Sequence, residues 1–167
     1  MKPEYWLSLD NAYRLSRANY VDKSIEHRSM IFSFPFKDMQ KRQWISNVTD
    51  PKVLEDELKR FFEVDDLNNL PVEASFKRTI QEAELNPPEK AWLTRVKKLA
   101  KACPADAFDE SKLPSLELGL RRLAAKSKAV HRVPVLLGKY GIRFVIVEPL
   151  PRVKIDGAAF WLDETSP

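Results

Sequence analysis

Apolar residues recur at helical spacing through most of the chain and at strand spacing only near its end. Over residues 3–18, Tyr5, Trp6, Leu9, Ala12, Tyr13 and Ser16 share one face. Pro3 suits a first helical turn, and Arg14 and Arg17 complement the dipole of the last. Residues 20–34 are less regular, and the alternation across 29–34 fits either a strand or a loop packed on the core. A short helix is predicted over about 35–44, with Phe36, Met39 and Gln40 inward. A clearer helix starts at Asp50, a good N-cap, and Pro51, a good first residue. Its apolar stripe is Leu54, Leu58, Phe61 and Phe62, and an Asp- and Asn-rich turn region over 64–71 follows.

Asn86, Pro87 and Pro88 open the next predicted helix, which Pro104 stops. Trp92, Val96, Leu99 and Cys103 form its stripe. Further helices are predicted over about 114–126, with Leu116, Leu120 and Leu123 inward, and over about 130–140, with Val133, Leu136, Leu137 and Tyr140 inward. Gly141 stands where a helix C-terminal cap belongs.

Beyond it the pattern changes. Residues 142–147 are a β-branched run bounded by Gly141 and Pro149 and read as a strand. A turn over 150–152, a second strand over 157–162 and turn residues from Asp163 to the last position complete the chain. The predicted class is α+β: a mostly helical N-terminal two-thirds, then a short β-hairpin or partial sheet. Three segments follow from this reading: 1–85, helical; 86–140, helical; and 141–167, two-stranded. Two strands alone leave at least one edge unpaired. The chain therefore reads as cut just before a strand that would complete the sheet.

Composition narrows the class. With 44% hydrophobic residues in 167, the chain can bury a core and is not of the disordered type. Twelve prolines against four glycines predict several short helices with stiff connections. A single cysteine, Cys103, cannot form an internal disulfide, and no signal peptide or membrane span is read, so the expected compartment is the cytoplasm. A net charge of +4 permits a nucleic-acid partner without requiring one.

Candidate chemistry is sparse. Zinc hydrolysis needs three protein ligands and a water, but the two histidines, His27 and His131, each lack a neighbouring histidine at ligand spacing. Cys103 and His131 could form a nucleophile–base pair, yet Cys103 completes an apolar stripe and reads as a small core residue. Four glycines cannot build a phosphate loop, and no G-x-S-x-G elbow occurs. The carboxylate pairs Glu55–Asp56 and Asp106–Asp109 read as caps and surface charges. No catalytic, metal or cofactor-binding residue is assigned. Three basic groups remain: Lys37, Lys41 and Arg42; Arg95, Lys97, Lys98 and Lys101; and Arg121, Arg122, Lys126 and Lys128. Each stands opposite an apolar stripe, where solvated charge is expected, and Trp6, Trp44 and Trp92 read as core anchors.

Two stretches resemble a bacterial regulator family. Residues 3–14, Pro-Glu-Tyr-Trp-Leu-Ser-Leu-Asp-Asn-Ala-Tyr-Arg, resemble the segment that follows an XRE-type helix-turn-helix domain in plasmid-maintenance antidote proteins. Residues 134–162 resemble the entry into an ImmA/IrrE metallopeptidase domain, above all Ile155-Asp156-Gly157-Ala158-Ala159-Phe160-Trp161-Leu162. The resemblance implies a DNA-reading module before this chain and a His-Glu-x-x-His zinc helix after it. Neither motif lies within the 167 residues, so no family ligand or DNA contact is carried onto a residue here. The expectation is a non-catalytic scaffold segment of a transcriptional regulator or antitoxin-like protein. Its partner would be a protein, either a second copy or a toxin, with DNA contacted only through the absent module and no membrane. Phe160, Trp161 and Leu162 are the candidate interaction residues. The alternatives are a portion of a zinc-dependent peptidase acting on a regulatory protein, or DNA binding through the basic helices.

Overall fold

The computed structural model describes residues 7–10, 13, 23–70, 75–78, 85–126, 129–163 and 165–167. The fold is α+β and mostly helical. In chain order it holds α1 (Lys23–Ser33), α2 (Phe36–Lys41), α3 (Pro51–Phe62), β1 (Ser75–Arg78), α4 (Pro87–Ala102), α5 (Leu113–Ala124), α6 (Val133–Lys139) and β2 (Ile155–Ala159). Single 3-10 turns lead into α5 and α6. No described helix is long and apolar enough to cross a membrane.

Local sequence chemistry explains the helix ends. The Asp50 side chain accepts from the backbone N–H of Lys52 and Val53, which would otherwise have no partner in the first turn of α3. Asn86 and Glu89 form a reciprocal capping box at the start of α4. At the end of α6, Gly141 donates to the Gly138 carbonyl and Ile142 to the Leu137 carbonyl. That pair of bonds is the Schellman arrangement, and it needs Gly141 in the left-handed region, where its φ is +80°.

One core joins α1–α4 to the C-terminal strand. It contains Ile31 and Phe34, Met39, Leu54, Leu58, Phe61 and Phe62, Ala91, Trp92, Leu93 and Val96, then Leu150 and Ile155. These residues come from all three segments into which the sequence divides. Helices α5 and α6 pack on each other, with Leu136 against Gly119, where any larger residue would crowd it.

The structure corrects four sequence expectations. Residues 29–33 belong to helix α1, neither strand nor loop: Ile31 and Phe34 are buried three positions apart while Phe32 between them is half exposed. Helical spacing of the two anchors overrides the apparent alternation. Residues 142–147 are not in a ladder, and the second strand spans 155–159, leaving Phe160, Trp161 and Leu162 beyond its end. Of the hairpin and the partial sheet that the pattern allowed, the partial sheet forms, and not between these two stretches. Instead β2 pairs antiparallel with β1, Phe76 opposite Ala158, with an irregularity between Lys77 and Arg78. The N-terminal helix falls largely outside the described residues; residues 7–10 are helical, and Leu9 and Tyr13, expected inward, are exposed.

A polar latch ties α1 to α3. Glu55 meets His27 Nε2 at 2.8 Å and Lys59 Nζ at 2.6 Å. The Lys59 hydrogen bond, then that of His27, holds the Glu55 carboxyl below its ordinary value of 4.5. A carboxyl with a depressed folded-state pKa stabilises the fold above the unfolded value, and that stabilisation is lost as pH falls through the folded value. Stability is therefore expected to decline with acidification below about pH 4.5. Glu55→Gln should flatten this decline by up to about 1 kcal/mol, read from urea unfolding across the acid range; an unchanged slope would remove Glu55 from the account.

Candidate binding groove

The described surface contains a groove of about 440 Å³. Its floor is α4, through Trp92, Val96 and Ala100; one wall is residues 142–147 and the other is β2 continuing to Phe160. The lining is mainly apolar side chain, as expected of a binding site for apolar groups.

The wall formed by residues 142–147 is fixed at both ends. The Schellman bonds set the position of Ile142. The Trp92 indole N–H donates to the Val147 carbonyl at 3.1 Å, and Arg42 donates to the carbonyls of Glu148 and Pro149 at 2.6 and 3.0 Å. Between these anchors, no main-chain hydrogen bond joins residues 143–146 to another described residue. Arg143 is held by its side chain, whose Nε donates to the Cys103 carbonyl. Side chains alternate as on a strand: Val145 and Val147 pack against the core, while Phe144 is 42% and Ile146 83% exposed. The β-branched run thus keeps the form of a strand without a ladder partner among the described residues.

The opposite wall is equally supported. Glu89, fully buried, accepts from the Lys154 backbone N–H just before β2, and Asn86 Nδ2 donates to the Arg152 carbonyl. Since β2 belongs to a two-stranded sheet, only one of its edges is used by β1.

The three expected interaction residues have different environments. Phe160 is half-buried, packs on the core and has Lys97 Nζ 5.5 Å from its ring centre. Trp161 is 57% exposed and stands edge-on to Phe108, with ring centres 5.4 Å apart. Leu162 is half-buried, and its N–H donates to the Ser166 carbonyl. Phe160 and Leu162 line the groove. Sequence reading missed Phe144 and Ile146 as exposed apolar groups, although their alternation with Val145 and Val147 was the available signal.

The reactive side chains do not converge among the described residues. His27 is engaged with Glu55. His131 lies exposed in the turn before α6, and the Cys103 thiol points at the neighbouring Pro104 carbonyl. No three His, Cys, Asp or Glu side chains among the described residues are grouped for a metal ion. Asp109 and Asp163 are turn caps whose carboxyls are held low by hydrogen bonds, from the Ser111 side chain and from the Thr165 backbone respectively. Arg42 of the first basic group and Arg95 of the second meet at Trp44, while Arg121 of the third pairs with Glu117 along α5.

No family model matches the chain, and no curated protein or solved structure matches it either.

Proposed function

We propose that this chain is a non-catalytic interaction segment of a bacterial transcriptional regulator or antitoxin-like protein, and that its groove receives an extended strand from a protein partner. The observation that carries the reading is the firmly anchored wall whose central main chain, residues 143–146, makes no main-chain hydrogen bond to another described residue. An added strand would supply those bonds and cover the apolar groove, the chemistry of β-augmentation. Main-chain bonds would set register, since each contributes only about 0.5–1.5 kcal/mol net. Burial of Phe144, Phe160 and Leu162 would supply most of the affinity. The resemblance on residues 155–162 supports the regulator context, and a second copy or a toxin is the partner class it implies.

The test is selection of binders from a library of extended peptides, followed by backbone amide NMR. Selected peptides should alternate apolar and polar residues and should shift the amides of residues 143–146. Ile146→Pro removes one N–H from the wall at a solvent-facing position, so it should weaken peptide binding by up to about tenfold with little loss of stability. Selected peptides that leave those amides unmoved, or that bind Ile146→Pro as well as the parent, would overturn the reading.

A further inference from the structure

Two arginines, Arg42 and Arg95, 53 residues apart in sequence, are brought to one place by the fold. The Arg42 guanidinium, just past α2, is 5.6 Å from the centre of the Trp44 ring, and that of Arg95 on α4 is 5.8 Å from the same ring. Trp44 lies parallel to Phe61, with 3° between planes and 6.2 Å between centres, and Lys98 Nζ is 5.2 Å from the Phe61 ring. The aromatic pair thus carries three cations, each held by the negative face of a ring.

Like charges gathered this closely repel unless an anion neutralises them. The available acids do so only in part. Glu63 takes Lys98 at 3.1 Å and shares Lys101 at 4.0 Å. Glu148 approaches Arg42 at 3.6 Å, and two of the Arg42 donors are used on the carbonyls of residues 148 and 149. The Arg95 side chain has no hydrogen bond or ion pair with another described residue; its contact is the Trp44 ring.

We infer that this surface binds the phosphodiester backbone of a nucleic acid, with Arg95, Lys98 and Lys101 as the contacting groups and Arg42 adding positive potential from behind. The three contacting residues are spaced i, i+3 and i+6 on α4, so they form a row about 9 Å long. One strand of a duplex presents a phosphate roughly every 3.4 Å of axis, so such a row meets two or three of them. That regular spacing favours a polyphosphate chain over an acidic protein, whose carboxylates have no fixed repeat. Because the Trp44 face is already occupied by guanidinium, no base stacks there, and the contact is independent of sequence. The inference does not depend on the groove, which the Trp44 surface does not line.

The experiment is fluorescence anisotropy of labelled duplex and single-stranded oligonucleotides across a salt series, with poly-glutamate of matched charge as competitor. Expected are binding in the range of non-specific contacts, roughly 10⁻⁴–10⁻⁶ M, and a log–log salt slope of about −2 to −3 on duplex. Lys101→Glu, at a site 60% exposed and therefore safe for folding, should weaken binding several-fold, and Arg95→Glu more strongly. Ile146→Pro should bind oligonucleotide as the parent does. Absence of salt-dependent binding, retention of full affinity in Lys101→Glu, or equal competition by poly-glutamate would overturn the inference, the last by showing an acidic-protein surface instead.

Discussion

Gly141→Ala is expected to lower stability by about 2–4 kcal/mol, through two independent penalties. The left-handed backbone, with φ at +80°, costs an alanine about 1 kcal/mol. The added Cβ would also stand 2.4 Å from both Cα and N of Phe108 and 2.8 Å from the Ala107 carbonyl carbon. These are main-chain atoms and cannot rotate away, so the loop 107–108 or the helix cap must move, at roughly 1–3 kcal/mol. Urea unfolding should show a lower midpoint with an unchanged slope. Gly157→Ala is the control: nothing lies within 4 Å of its added Cβ, and its backbone is not left-handed. It should be neutral or slightly stabilising, because alanine loses less backbone freedom than glycine on folding. Equal effects of the two substitutions would refute this account of Gly141.

Glu89→Ala should cost about as much, roughly 3–5 kcal/mol, for a different reason. Glu89 is fully buried, and its carboxyl oxygens accept from the backbone N–H of Asn86 at 3.0 Å and of Lys154 at 3.3 Å. Alanine would take these acceptors from two part-buried donors, remove half of the capping box and open a cavity where the buried Glu89 side chain stood. Glu89→Gln should cost less, since one oxygen remains, but not nothing, since the new amide nitrogen must face a donor. Thermal melting orders the three proteins, and hydrogen exchange at the Lys154 amide locates the damage. Normal protection of that amide in Glu89→Ala would show that the bond has no role in holding β2.

What the sequence disclosed depended on how far apart the interacting residues lie. The Asp50–Pro51 start of α3, the Asn86 cap of α4 and the Gly141 cap of α6 use neighbours within five positions, and each is legible from residue type. Strand β1, Ser-Phe-Lys-Arg, has one apolar residue and no alternation to announce it; it is a strand because β2 pairs with it. Residues 142–147 show the converse, with strong β-branched preference and no ladder, since propensity cannot supply a partner. The same distinction governs the sites. Phe160 and Leu162 are groove residues, but the wall opposite them had to be found in three dimensions. The two basic groups read as separate solvated faces until the fold set Arg42 and Arg95 on one indole.

Pairing Ser75 with Ala159 has a kinetic corollary. Bringing together ends about 80 residues apart costs roughly 4 kcal/mol in loop-closure entropy, more than a ladder of four pairs repays by itself. The ladder must therefore form late, after the intervening helices have shortened the path between its halves. Destabilising β2 should accelerate unfolding and leave the refolding rate nearly untouched, so the sheet acts as the clasp that closes an assembled body.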